Sequence, residues 1–75
     1  MENRINPHLI VIGRQWRGMK QETLAGKAGL NQGHLSRIEN GLTEPSEEVL
    51  KRIADALDFP EGFFRQQDMI YGLPV

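Results

Sequence analysis

Near the middle of the chain, Gln32, Gly33, His34, Ser36 and Arg37 are short or hydrogen-bonding residues interleaved with Leu35 and Ile38. Leu35 and Ile38 recur at helical spacing, so one short helix buries an apolar edge and shows a polar one. An amide, an imidazole, a hydroxyl and a guanidinium along one exposed edge make an array of donors and acceptors. That array suits the base edges of a duplex major groove better than a hydrophobic core.

Holding such an edge outward requires a second helix crossing the first. Leu24, Ala28 and Leu30 supply its apolar face, and the small Ala25 lies where the two helices cross. Gly29, four residues after Ala25, stands where the turn needs a left-handed backbone that a Cβ would penalise. Residues 21–40 thus read as helix, tight turn, helix.

No other chemistry assembles. Ser36 lies on the polar helix and Ser46 at a helix start, and neither has a His/Asp arrangement around it. The glycines form no Gly-rich run ahead of Lys-Ser/Thr. Glu47-Glu48 and Asp55/Asp58 read as a solvated helix face. His8 and His34, with no cysteine in the chain, make a poor metal site. The expectation is no catalytic residue, no metal, no cofactor and no enzyme activity.

The 75 residues suit one small domain without disulfides. No apolar run approaches the roughly 20 residues of a membrane span, and Met1-Glu2-Asn3-Arg4 does not open a signal peptide. A soluble cytoplasmic chain with no membrane partner is expected. The net charge of −1 looks wrong for a nucleic-acid binder, but it is unevenly spread. Residues 1–41 hold six basic against three acidic residues, and 42–75 hold three against seven. The basic half contains the helix-turn-helix and the acidic half would face away from a phosphate backbone.

Five helices and no strand pattern predict an all-α bundle. Asn6-Pro7 cap and start a first helix that runs to about Arg17 and stops at Gly18. On it, Ile10, Gly13, Arg14 and Arg17 share a face; Leu9, Ile12 and Trp16 form an adjoining apolar stripe for the core or a further domain, with the Trp16 ring partly exposed. The second helix covers about 21–28. The third follows Asn31 as N-cap and ends at Asn40-Gly41. Ser46 caps a fourth helix to about Leu57, which buries Val49, Leu50, Ile53, Ala54 and Leu57. Pro60 starts a short fifth helix through about Arg65, and Phe59, Phe63 and Phe64 close the core. The predicted organisation is an arm (1–6), a helical domain (7–66) and an apolar tail (67–75) for dimerisation or as a linker to a missing domain.

With these elements placed, the chain resembles the repressor/Cro-like helix-turn-helix family of the xenobiotic-response-element type over roughly residues 7–66. The resemblance rests on Arg14, Gly18, Gln21, Leu24-Ala25, Gly29, Leu35-Ser36-Arg37-Ile38-Glu39-Asn40-Gly41, Pro45-Ser46, Ala54 and Leu57. It implies a five-helix bundle of the lambda-repressor-like type that binds double-stranded DNA as a transcriptional regulator, with residues 32–40 in the major groove. It also implies roles. Gln32 reads a base edge, and bidentate glutamine pairing favours adenine. Arg37 reaches a guanine or a phosphate, His34 meets either, and Gly33 lies on the same groove-facing edge. Gln21 at a helix start holds a phosphate, as does Asn40 with the backbone N–H groups just beyond it; Arg14, Lys20 and Ser36 are the further phosphate candidates. Arg14 and Glu39 form the family's ion pair.

The sequence departs from the pattern at Lys20, where a capping Ser or Thr is usual, at Gly33, which removes a groove-facing side chain, and at Leu42, where a basic residue is common. Asn6-Pro7, Gly13-Arg14-Gln15, Arg17-Gly18, Pro45-Ser46-Glu47-Glu48-Val49-Leu50, Leu57-Asp58-Phe59-Pro60-Glu61-Gly62-Phe63-Phe64 and Tyr71-Gly72-Leu73-Pro74 are similar to the branch that precedes a zinc metallopeptidase of the IrrE type, although His-Glu-x-x-His is absent. Tight binding by so small a module implies a homodimer on two half-sites, joined through the fifth helix and the tail. The alternative is a protein-interaction or targeting module, antitoxin-like or the front of a metallopeptidase regulator, in which DNA contact is secondary.

Overall fold

Residues 5–65 are described by the computed structural model. They form α1 (Pro7–Trp16), α2 (Gln21–Ala28), α3 (Gln32–Glu39), α4 (Glu47–Leu57) and a 3-10 helix, Glu61–Arg65, with no strand among the described residues. Residues 1–4 of the expected arm and the whole expected tail lie outside them. The expected fifth helix is therefore a 3-10 turn, opened by a Phe63 N–H to Pro60 C=O bond of 3.0 Å. Five residues with Gly62 among them are too few to pay for an α-helical nucleus.

Local chemistry sets both ends of each α-helix. The side chains of Asn6, Asn31 and Ser46 accept from the backbone N–H of His8, His34 and Val49, at 3.1, 2.7 and 3.1 Å. Each α-helix closes with a six-to-one bond that ties a residue one or two positions past the cap back into the last turn, as from Leu30 N–H to Ala25 C=O at 2.8 Å. That closure needs a left-handed residue, which Gly29 supplies at φ 73° in the turn between α2 and α3. At the end of α4 the same role falls to Asp58 (φ 61°), the one non-glycine residue with positive φ among those described. Arg17 steadies that end, its Nε donating to Leu57 C=O at 2.7 Å and its Nη2 to Asp58 C=O at 3.1 Å.

The N-terminus of α2 is the exception, because Lys20 makes no side-chain cap bond. Its N–H groups stay open, which weakens the helix but leaves an electropositive end exposed. Lys20→Ser restores a cap and is expected to stabilise the domain by about 1 kcal/mol. A thermal melt checks this, with a rise of roughly 4–8 °C expected.

Leu9 and Ile10 of α1, Leu24 of α2, Leu35 and Ile38 of α3, and Leu50, Ile53 and Leu57 of α4 meet in one apolar core. Phe64 fills its end, completely buried, and an Asn6 N–H to Phe64 C=O bond of 2.7 Å ties the start of α1 to the 3-10 helix. Phe59 and Phe63 are only half-buried, as are Leu30 and Val49, all packed at the core's margin. Ile12 departs further from expectation. Its helical position turns it away from α3 and α4, and it remains 36% exposed; Trp16 is 76% exposed. No helix among the described residues is long and apolar enough to cross a membrane.

Candidate nucleic-acid interface

The apolar edge of α3 anchors it, since Leu35 and Ile38 are buried while Gln32, Gly33 and Arg37 on the other edge are exposed and His34 and Ser36 are half-buried. The five residues expected on the polar edge therefore share one helix, and none is closed off beneath the core. The fold also brings Gln21, Lys20 and Asn40 to the two ends of the same pair of helices: Lys20 and Gln21 open α2, and Asn40 caps α3.

A polar relay joins α1, α2 and α3. Arg14 grips Glu39 with two bonds, Nε to Oε2 at 2.8 Å and Nη2 to Oε1 at 3.1 Å, and its Nη1 donates to Met19 C=O at 3.1 Å. Glu39 also accepts from Gln21 Nε2 at 2.9 Å, and Gln21 Oε1 accepts from Gln32 Nε2 at 3.2 Å. The order of donors is chemically forced. A carboxylate only accepts, so Gln21 must turn its amide nitrogen to Glu39 and its oxygen to Gln32. Gln32 must then give one N–H to that oxygen, which leaves its carbonyl and a second N–H as one acceptor and one donor. Those are the two groups that pair with the major-groove edge of adenine.

Two of the groups expected at phosphates are already engaged within the protein. Arg14 directs three N–H groups inward, and its side chain is only 15% exposed beside a 5% exposed Glu39. Three of its five N–H groups are thus engaged within the protein, and it holds Glu39 in place. The backbone N–H groups of Asn40, Gly41 and Leu42 are likewise bonded to the C=O groups of Ser36, Ile38 and Arg37, closing α3. They are not free for a phosphate. The Asn40 side chain is exposed and donates to Ser36 C=O at 2.9 Å, so it retains one amide N–H and its oxygen.

The Arg37 side chain carries no hydrogen bond or ion pair among the described residues, and the same holds for the side chains of Lys20 and Lys27. Its guanidinium lies back along α3, with Nη1 3.7 Å from the point a Cβ on Gly33 would occupy. That is ordinary contact distance, so a methyl group there would touch the guanidinium without displacing it. Leu42, 74% exposed, adds no charge there. The Gln21 links to Glu39 and Gln32 were not foreseen from sequence, because 18 and 11 residues separate the partners and no local spacing marks them.

A helix-turn-helix family model matches residues 12–64, which spans α2 and α3 entire. The structure is similar to the restriction-modification controller protein C.AhdI from Aeromonas hydrophila, at 28% identity over 77% of this chain and 88% of that one, with a TM-score of 0.75. It is also similar to the N-terminal DNA-binding domain of the biofilm regulator SinR from Bacillus subtilis, at 29% identity, 85% and 94% coverage and a TM-score of 0.72. The DNA-binding domain of the P22 c2 repressor shares the fold at 23% identity, 85% and 84% coverage and a TM-score of 0.77. No curated protein sequence matches the chain significantly.

Proposed function

Because the chain belongs to the helix-turn-helix family, we propose that it is a transcriptional regulator that binds double-stranded DNA sequence-specifically, with α3 in the major groove and α2 crossing the backbone. The observation that carries this reading is the relay from Arg14 to Gln32, which presents an oriented amide at the exposed start of the recognition helix. Similarity to C.AhdI and to the DNA-binding domain of SinR supports it.

In this reading Gln32 takes an adenine, and Arg37 takes a guanine or a phosphate. His34 and Gly33 border the same bases. One phosphate rests at the uncapped start of α2, held by Gln21, Lys20 and the helix's open N–H groups. Ser36 and the Asn40 side chain face a second. The regulator works in the cytoplasm as a homodimer on half-sites about 34 Å apart. Residues 7–66 form the binding domain. The finer likeness, to the branch preceding an IrrE-type zinc metallopeptidase, makes residues 67–75 the approach to a further domain.

A DNA-binding titration over a salt series tests the proposal. A module touching about three phosphates loses about 40-fold in affinity between about 50 and about 200 mM salt. Gln21→Ala weakens binding to every sequence and, by freeing the Gln32 amide, also blunts the preference for adenine. Affinity that is flat with salt would favour the protein-interaction module instead, which the acidic second half of the chain keeps as the competing reading.

A further inference from the structure

Gly33 leaves the outward edge of α3 without a side chain, at an exposed position between the amide of Gln32 and the guanidinium of Arg37. Nothing among the described residues calls for a glycine there. Its backbone is not one of those with positive φ, which are Gly18, Gly29 and Gly41. A Cβ would meet Asn31 Oδ1 at 3.6 Å and Arg37 Nη1 at 3.7 Å, both ordinary contacts. At Gly13, by contrast, a Cβ would press on the Phe59 ring at 3.1 Å. A glycine inside a helix loosens it and gives up a contact-making side chain. What this one gains lies outside the fold, in whatever approaches the helix closely.

We propose that Gly33 is a specificity-determining residue, whose missing Cβ makes room for the 5-methyl group of a thymine in the base pair beside the Gln32 adenine. The inference rests on the reading of α3 as the groove-reading helix and deepens it. The Gly33 Cα gives the notch a C–H floor, and two polar atoms stand at its rim. One of them, Asn31 Oδ1, is already taken by the His34 N–H at 2.7 Å. The other, Arg37 Nη1, belongs to a planar, weakly hydrated guanidinium that tolerates an apolar neighbour. A small apolar group therefore suits the notch better than a polar one. On the major-groove edges of the four base pairs that group is the thymine methyl, and the other recognition features are hydrogen-bonding atoms. The register agrees. Consecutive Cα atoms stand about 3.8 Å apart, close to the roughly 3.4 Å between stacked base pairs. With Gln32 on one pair, Gly33 comes level with the next. A side chain at position 33 would hold the helix off that methyl; bare backbone admits it.

The test uses the full chain and duplexes carrying the sequence that wild type selects, with each thymine replaced in turn by deoxyuridine. That exchange removes the methyl and keeps every hydrogen-bonding atom. Wild type is expected to lose about fourfold in affinity at one thymine, the worth of one buried methyl group. Gly33→Ala fills the notch, so it binds the thymine duplex more weakly, and its thymine-over-uracil ratio at that position falls to one or below. Gly26→Ala is the control, because it adds the same methyl to α2 in open space and keeps the wild-type ratio. Both variants fold, with a Tm about 2–8 °C higher in a thermal melt, as alanine at a compatible helical position gives. A wild type indifferent to every deoxyuridine overturns the proposal, as does a Gly33→Ala variant that keeps the fourfold preference. Either result spares the groove-reading role of α3 if Gln32→Ala still loses its adenine. Failure of wild type to select any sequence overturns both.

Discussion

Glu39→Ala is expected to lower stability by about 3 kcal/mol, since it removes the acceptor for both Arg14 and Gln21 and leaves a largely buried guanidinium without its partner. For a domain of this size that corresponds to a fall of roughly 12–24 °C in Tm. Sequence-specific DNA binding is lost with it, because Gln21 no longer has a fixed orientation to impose on Gln32. A second variant separates the two effects. Arg14→Leu/Glu39→Leu removes both charges, so the stranded-charge penalty disappears and most of the stability returns. The relay stays broken, and site preference stays low. Thermal melts with matched binding curves on preferred and unrelated duplexes check this. A double variant that regains site preference together with stability would reduce Glu39 to a purely structural role.

Gln32→Ala carries the other large expected effect. Removing the amide that we propose pairs with a base edge should cut discrimination at a single base pair by about 1–3 kcal/mol, or about 5- to 150-fold, while affinity for unrelated DNA changes little. Its side chain is exposed and among the described residues bonds only to Gln21, so stability should hold. Arg37→Ala sorts the two roles open to that residue. Loss at one base pair identifies a guanine contact, and an even loss with a salt slope shallower by about one identifies a phosphate. Competition titrations against duplexes differing at one position measure both variants.

Much of this arrangement was legible because the signals are local. Asn6, Asn31 and Ser46 cap the helices they precede, Gly29 takes the left-handed turn, and Gln21–Ala28 and Glu47–Leu57 form as helical spacing predicts. The polar edge of α3 follows from the same period, since burying Leu35 and Ile38 leaves Gln32 and Arg37 outside. What was not legible depends on contacts between distant elements. Ile12 fits an apolar stripe, yet α3 and α4 pack on the neighbouring face of α1 and leave it exposed. The Arg14–Glu39 pair forms as the family resemblance implies, but the bond from Gln21 that extends it has no local sign. Gln21 has the right position for a phosphate, and only the packed helices show that it also aligns Gln32. Arg17 likewise gives no sequence sign that it closes the carbonyl end of α4, forty residues on.

The groove-reading role of α3 is tested most directly by selecting bound duplexes from a random-sequence library in parallel with wild type and Gln32→Ala. The expected result is a defined motif for wild type, and for the variant the same motif with one adenine position no longer enriched. Failure of the wild type to enrich any motif, or an unchanged adenine in the variant's motif, would contradict the assignment of Gln32 and of the helix that presents it.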